Sequence, residues 1–442
     1  MSDVAPTLAP IAERLLGGPL PVRLCAWDGS EAGPPDAPRV LLTSPRAVRR
    51  LLWAPGELGL AEAYISGDLD VEGDLTDGLR AVWNALREHS ATPPRPGDAR
   101  APRTPRVGLA ARARAAARVA RIGAIGPRPA APGGRARLGG SPHSRSRARA
   151  AISHHHAFLS EFYERLLDPS MAYSCAYWTS HDPSYGLADA QRDKLEVICR
   201  KLALVPGARL LDIGCGWGAL ALYAADRHKA QVTAVTLVPE ERDFVRERVD
   251  ELGLGQFVEV VLSDYRDLPG GQYEAVACVE MGEHVGHDQY PRLADTLHGM
   301  LRPGGRALVQ QMSRAAGTPG GGAFIETYVA PDLHMRPLGE TIGLLEAAGL
   351  EVRSSESLRE HYVRTVGAWR EALEAQWDAF RLLAGDDTAR MWRLYLAGGA
   401  LAFEERRMGI DQILAVRPTA RGVSGMPDTP TAWYPAPALE VA

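Results

Sequence analysis

What this chain has little of narrows the problem first. In its 442 residues no apolar run reaches the ~18 residues that a membrane-crossing helix needs. It has five cysteines, Cys25, Cys175, Cys199, Cys215 and Cys278. Their number is odd, none forms a Cys-x-x-Cys pair, and nothing at the amino end reads as a secretory signal. A disulfide framework is therefore not expected, and a reducing cytoplasm is. No internal repeat is present, which sets aside solenoids and propellers. His154-His155-His156 has no spaced third-ligand motif after it, and adjacent histidines point different ways on a helix, so no metal is expected.

A further scarcity is local. Between Ala91 and Ala150 there are 14 arginines, no lysine and one acidic residue, Asp98, giving that stretch a charge of +13. With the whole chain at −4, the remainder carries −4 − 13 = −17. The stretch is rich in Ala, Arg, Pro and Gly and nearly free of large apolar side chains. Such a composition cannot offset ordering entropy, so a disordered linker is expected over 89–150. Its functional reading is a polybasic tether to anionic lipid head groups. Nucleic acid is not expected as a partner, because no aromatic residues interleave to stack on bases.

The chain as a whole has 45% hydrophobic and 24% charged residues, an ordinary globular composition, and it is long enough for two domains. Residues 1–88 read as a small α+β unit with helices over Leu8–Leu16 and Pro45–Leu52 and strands over Val22–Trp27 and Arg39–Thr43. Gly67-Asp68 reads as a turn into an extended piece. A second domain is expected over 151–420 and a disordered Pro/Gly/Thr-rich tail over 421–442. The second domain opens with an aromatic loop around one cysteine, Tyr173-Ser174-Cys175-Ala176-Tyr177-Trp178.

From 209 to 312 strands and helices alternate. Apolar strands are expected at Arg209–Ile213, Gln231–Thr236, Phe257–Leu262, Tyr273–Val279 and Gly305–Gln310, with helices between them. Alternation of this kind argues a doubly wound α/β fold with ligands at the carboxyl ends of the strands. Three of those ends are polar: Thr236, Ser263-Asp264-Tyr265-Arg266, and Glu280-Met281-Gly282-Glu283-His284. The first strand runs into Asp212-Ile213-Gly214-Cys215-Gly216-Trp217-Gly218. Glycines at alternating positions let a ligand approach the backbone, and the next helix offers unpaired N–H groups at its start. Gly-x-Gly-x-Gly differs from the dinucleotide fingerprint and has the shape used by S-adenosylmethionine (SAM) methyltransferases. Beyond this domain, helices are expected over Glu340–Ala348, Val366–Arg381 and Ala389–Arg406, and a last strand over Asp411–Val416.

Taken together, Tyr173–Trp178, Leu211–Gly218, Asp264-Tyr265-Arg266-Asp267 and Glu283-His284-Val285-Gly286 closely resemble the cyclopropane-fatty-acyl-phospholipid synthase family in order and separation. The helix containing Trp392-Arg393-Leu394-Tyr395-Leu396 also resembles it, and Leu60–Leu75 resembles the end of that family's N-terminal lipid-binding domain. The resemblance implies a Rossmann-like SAM-dependent methyltransferase domain with a small N-terminal α+β lipid-binding domain. It implies methylation of cis double bonds in phospholipid acyl chains, leading to a cyclopropane ring. In the family a methyl is transferred to the alkene, a bound bicarbonate ion takes a proton from the new methyl, and the ring closes. The implied partner is membrane phospholipid with unsaturated acyl chains, contacted peripherally at the inner face of the membrane, and the family contains homodimers.

Carried over residue by residue, Tyr173 and Ser174 would lie beside SAM, and the turn containing Asp212, Gly214, Gly216, Trp217 and Gly218 would cradle its methionine part. Thr236 and Glu241 match positions near the ribose, and Asp264 and Tyr265 match the adenine contacts. Cys175, Glu283 and Tyr362 match bicarbonate-binding positions. The sequence departs from the family at three places. Glu241 stands where Gln is usual. Gln310 and Met312 stand where His and Ile are usual; Gln310 can donate to an oxyanion through its amide but cannot shuttle a proton as His can. The upstream His-Tyr-Asp-x-x-Asn-x-Phe-Tyr pattern is here His155–Tyr163, without the Asp and the Asn. These departures bear on ring closure more than on methyl transfer, and the alternative product is a methyl- or methylene-branched chain. Two further alternatives are a methyltransferase for a soluble small molecule and a non-catalytic lipid-binding protein. Cys215 is expected to pack, and His284 to orient its neighbours. Trp369, Trp392 and Tyr395 are expected either as core or as the wall of an acyl channel.

Overall fold

The computed structural model describes residues 3–89, 109–136, 138–155, 160–316 and 320–434. They form two compact units. One is Met1–Ala136 with Gly321–Val329 and Leu373–Arg407; the other is Arg137–Gly320 with Ala330–Ala372 and Met408–Ala442.

The first unit begins with helix α1 (Val4–Leu16) and strands β1 (Arg23–Ala26), β2 (Glu31–Ala32) and β3 (Arg39–Leu42). Helices α2 (Pro45–Trp53) and α3 (Glu57–Ile65), strand β4 (Leu69–Glu72) and helices α4 (Leu75–Glu88) and α5 (Leu109–Arg121) follow. The four strands are ordered β2-β1-β3-β4. Ser44 caps α2 by accepting from the Arg46 amide, and Pro45 opens its first turn. The Gly67-Asp68 turn is clamped to α2 by charge. Asp68 accepts from Arg50 Nε and Arg46 Nε, both at 2.8 Å, and from the Ser44 and Ser66 hydroxyls, both at 2.9 Å.

The arginine-rich segment differs from the disorder expected of it. Val119 and Ala124 pack with Val4, Leu8, Ala47 and Val48 in a common core. Arg49, Arg50 and Trp53 donate to the carbonyls of Gly123, Ala130 and Gly126. Composition summed over sixty positions hides a few anchors, and those anchors suffice once α2 supplies donors for the backbone. Residues 90–108 of the expected linker lie outside the described residues.

The second unit takes up the chain with α6 (Arg145–His155), α7 (Ser160–Leu166) and α8 (Leu187–Lys201). In α6, Arg147 pairs with Asp332 at 2.6 Å and Arg145 with Asp267 at 2.8 Å, so these arginines are not free for lipid. The alternating segment is β5 (Arg209–Ile213), α9 (Ala219–His228), β6 (Gln231–Thr236), α10 (Pro239–Glu251), β7 (Val258–Leu262), β8 (Tyr273–Val279), α11 (Tyr290–Met300) and β9 (Leu301–Ser313). Then come α12 (Leu338–Ala347), β10 (Glu351–Ser357) and α13 (Arg359–Ala375); α14 (Trp377–Ala384) and α15 (Asp386–Glu404) belong to the first unit, and β11 (Gly409–Val416) to the second. The single helix expected over Val366–Arg381 is thus broken at Gln376.

Seven strands lie in the order β10-β11-β9-β8-β5-β6-β7. The run from β9 to β7 is parallel, and β11 is antiparallel to both β9 and β10. Successive residues bury on opposite faces: Leu210, Ala234, Ala275 and Leu308 with α8, α9 and α10, and Leu211, Val235, Val276 and Val309 with α11 and α12. That two-sided burial explains the continuous apolar strands, and it leaves the carboxyl ends of β5, β6 and β8 as the place for polar groups. Strand β10 was not expected from the sequence, because its burial alternates and its run Arg353-Ser354-Ser355 is polar.

The tail also differs from the expected disorder. Pro430–Trp433 forms a 3₁₀ turn, and Tyr434 donates to Glu356 at 3.1 Å. Residues 435–442, the loop positions Thr318 and Pro319, His156 and the side chains of His154 and His155 lie outside the described residues. No helix among the described residues is long and apolar enough to cross a membrane.

Asp68 supplies a test of the first unit. Burial pushes its carboxyl up, but the hydrogen bonds from Arg50, Ser44, Ser66 and Arg46 outweigh this and hold it below the usual range. Asp68→Asn should cost about 3 kcal/mol in urea unfolding, because it removes the close counter-charge of buried Arg50 and leaves only Glu62, 3.8 Å away. A depressed pKa gives a contribution present above the unfolded value and lost as pH falls through the folded one. The wild-type advantage over the variant should therefore be complete at neutral pH, begin to fall as pH drops past the unfolded value of about 4, and vanish only below the lower folded value.

Candidate active site

Strand β5 delivers Asp212 to its carboxyl end, and the chain then turns through Gly214 (φ +80°), Gly216 (φ +51°) and Gly218 (φ +86°). The turn hangs from the sheet, since the amides of Gly214 and Cys215 both donate to the Val235 carbonyl at 2.9 Å. A Cβ on Gly218 would stand 2.9 Å from the Val245 methyls, so that glycine is needed for helix packing. A Cβ on Gly216 would meet nothing within 4 Å, so that glycine keeps open the space above the turn. Asp212 is buried with Oδ2 unpartnered, as is Nε1 of Trp217. Burial pushes the Asp212 carboxyl up to about 7, against the opposing charge of Lys194.

Lys194, on α8, is itself buried and donates to Ser174 Oγ at 2.8 Å. Desolvation lowers its pKa, and Glu280, Asp168, Cys175 and Asp212 oppose that. Gln191, fully buried on the same helix, donates to the carbonyls of Ala172 and Ser174 at 3.1 and 2.8 Å. The loop carrying Tyr173 and Ser174 is thus held by two polar residues of α8.

At the end of β6, Thr236 donates to Glu241 at 2.5 Å, and burial raises the Glu241 carboxyl to about 7. The acid at this strand end therefore comes from the first turn of α10. Asp264 is engaged by its own turn. Its carboxylate caps the 3₁₀ turn Tyr265–Asp267 and pairs with Arg266 at 2.5 and 2.8 Å. The guanidinium lies 5.5 Å from the Tyr265 ring centroid.

The second half of the site gathers around Glu280, immediately after β8. The Cys175 amide donates to its Oε1 at 2.7 Å and Gln310 Nε2 to the same oxygen at 2.9 Å, while the Tyr362 hydroxyl donates to its Oε2 at 2.7 Å. Glu280 has φ +52°, a conformation that a side chain of this size adopts at a cost of about 1–3 kcal/mol. The orientation of Gln310 follows from a chain of amides. Lys201 can only donate, and its Nζ lies 2.6 Å from Gln412 Oε1. Gln412 Nε2 then donates to Gln310 Oε1 at 3.0 Å, which turns the Gln310 amide N–H toward Glu280.

Aromatic rings join the two halves. Trp217 of the glycine turn meets Tyr163 at 5.3 Å, Tyr163 meets Tyr173 at 5.6 Å, Tyr173 meets Trp369 at 5.2 Å, and Trp369 meets Tyr362 at 6.0 Å. Trp369 thus belongs to the site, whereas Trp392 and Tyr395 pack on each other within the first unit.

Of the residues expected to bind an anion, Cys175, Gln310 and Tyr362 come together, but on a carboxylate of the chain itself. Cys175 contributes its backbone N–H; its thiol faces the carbonyls of Ala176 and Leu358, and burial pushes it well above the ordinary thiol range. Glu283 is fully buried in the 3₁₀ turn Gly282–His284, outside those three donors. Burial, then the charge of Glu280, raises it to about 8, and the amides of Glu283 and Met312 oppose this. Sequence reasoning missed Lys194, Lys201, Gln412 and the role of Glu280. The available signal was a lysine and a glutamine inside the otherwise apolar face of α8.

Known proteins resemble this chain over most of its length. The profile described as mycolic acid cyclopropane synthetase matches residues 143–413. A probable fatty acid methyltransferase of Mycobacterium tuberculosis is 36% identical over 421 residues, covering 95% of this chain and 96% of that protein. A tuberculostearic acid methyltransferase of the same organism is 32% identical, covering 94% of this chain and 92% of that protein. The crystal structure of a mycolic acid cyclopropane synthase complexed with SAH and CTAB superimposes with a TM-score of 0.57 at 25% identity, covering 62% of this chain and 98% of that one. SAM is the cofactor, and the open glycine turn, the unpartnered Asp212 and Trp217 atoms and the buried Glu241 fit it.

Two outcomes test the cofactor half. Gly216→Ala should leave the fold intact and weaken SAM binding about tenfold by calorimetry, a loss of ~1.4 kcal/mol; an unchanged Kd would remove the turn from the site. Separately, SAM affinity should rise as pH passes upward through 7, since Asp212 raised to about 7 is largely neutral below that value and charged above it. Asp212→Asn should flatten that profile.

Proposed function

The chain belongs to the mycolic acid cyclopropane synthetase family and is a SAM-dependent methyltransferase acting on lipids, and from that premise we propose that it methylates a cis double bond in a phospholipid acyl chain to give a methylene-branched chain. The observation that carries the reading is the polar cluster on Glu280 beside the glycine turn, joined to it by the wall of aromatic rings.

SAM supplies an electrophilic methyl group. The alkene is a poor nucleophile, so the turn, Asp212 and Glu241 serve by fixing the geometry of approach. The π pair forms the new carbon–methyl bond and leaves a cation on the neighbouring carbon. Tyr163, Tyr173, Trp217 and Trp369 keep water away from that cation and turn electron-rich faces toward it. Hydride shift to the cationic carbon and loss of a methyl proton then give the methylene branch. A saturated methyl branch would need a hydride donor that this reaction does not supply.

The relatives that match along nearly the whole chain are named as fatty acid methyltransferases, which favours branching over the ring expected from the sequence. Ring closure is the second reading, favoured by the family description and by the cyclopropane synthase structure. Both products come from the same cation and differ in whether the hydride moves first. Exposed Leu52, Trp53 and Leu60 on α2 and α3 offer apolar surface for peripheral contact with a bilayer.

The test is incubation with methyl-labelled SAM and liposomes of cis-monounsaturated phospholipid, followed by mass analysis and NMR of the fatty esters. The expected result is a gain of one CH₂ with exomethylene signals. Cyclopropyl signals would establish the second reading. Label absent from lipid, with SAM still bound, would reject both and leave a soluble substrate or a non-catalytic lipid binder.

A further inference from the structure

We propose that Glu280 is the general base of this enzyme, its carboxylate standing where the family resemblance places a bound bicarbonate ion. The inference rests on the proposed methyl transfer to an alkene. Cys175 and Tyr362, two of the residues expected to hold bicarbonate, and Gln310, which stands where the family has His, direct their donors at the Glu280 oxygens instead, at 2.7, 2.7 and 2.9 Å. An anion placed among them would lose those donors and lie against a second negative charge. The residues present do not fit bicarbonate.

Glu280 suits the task better than its neighbour Glu283. Burial pushes both carboxyls up, but at Glu280 the hydrogen bonds from Tyr362, Cys175 and Gln310 and the charge of Lys194 oppose this, while Glu283 lacks those donors and is raised to about 8. Glu283 is fully buried, whereas Glu280 keeps part of its surface open, as a base that meets substrate and returns its proton to water must. The backbone points the same way. At φ +52° glycine would sit with less strain, so a glutamate held there by three donors is a site feature rather than a packing choice.

In the proton-transfer step a C–H bond of the transferred methyl breaks and the proton passes to a Glu280 oxygen. The electron pair left behind forms the C=C bond to the cationic carbon; in ring closure the same pair forms the third ring bond. No outside anion is consumed. Lys201 and Gln412 act through Gln310 as positioning residues, because they fix which end of its amide faces the carboxylate.

The test uses the full chain with Glu280→Gln and Glu280→Gly. Titration with ¹³C-bicarbonate, followed by NMR, should show no binding to the wild type and saturable binding to E280G, whose three donors are freed. Wild-type turnover should be the same in carbon-dioxide-free buffer as with added bicarbonate. E280Q should lose ~100-fold or more in turnover with its SAM Kd nearly unchanged, and E280G should regain turnover as bicarbonate is added. Wild-type binding of bicarbonate, wild-type turnover that depends on it, or E280Q turnover within threefold of wild type would each overturn the proposal. If the wild type yields no methylated lipid, the proposed function falls, while the bicarbonate titration still decides what occupies this pocket.

Discussion

A carboxylate taken largely out of water needs donors, and the second unit is arranged around supplying them to Glu280. The donors come from three places far apart in the chain: the aromatic loop at Cys175, strand β9 at Gln310, and helix α13 at Tyr362. Each must be in place for the others to count, because a buried acid left short of partners costs more than any single hydrogen bond returns. The requirement spreads outward. Gln310 is oriented by Gln412, and Gln412 by the ammonium of Lys201, which also pairs with Glu356 at 2.6 Å. Glu356 receives Tyr177 at 2.7 Å and Tyr434 from the end of the chain. One charge thus sets the polarity of a network running from α8 through β10, β11 and β9 to the strand end.

The site has two chemical halves with different demands. The cofactor half needs open backbone and anionic oxygens, which the glycine turn, Asp212 and Glu241 supply. The substrate half needs a dry, electron-rich wall and a single base. The rings from Trp217 to Tyr362 run between them, so that in the proposed reaction a cation formed on the acyl chain lies among aromatic faces while a proton of the new methyl passes to the carboxylate. Lys194 stands between the halves electrostatically, acting on both Asp212 and Glu280.

Much of this was legible residue by residue. Continuous apolar strands separated by helices announced the parallel sheet, because both faces of each strand are buried. The glycine turn was legible because its conformation leaves few other residues possible. The order of motifs from Tyr173 to Glu283 pointed to the family. Strand β10 was hidden because an edge strand facing solvent has a polar sequence, and the order in 109–136 was hidden because few anchors act there. The meaning of Gln310 was also hidden. Read against the family's histidine it looked like a weakened proton shuttle, whereas in the fold it is an oriented donor to a neighbouring acid.

By itself the sequence determined the α/β sheet, the cofactor turn and the aromatic loop, since each depends on local conformation or on periodic burial. Only the tertiary structure decided what fills the anion position. Nothing local in Glu280-Met281-Gly282-Glu283 says which acid receives donors and which is merely enclosed. That depends on a positive φ turning one side chain toward Cys175, Gln310 and Tyr362, contacts spanning up to 105 positions of sequence. Charge is assigned by proximity in space, and proximity of that kind belongs to the fold.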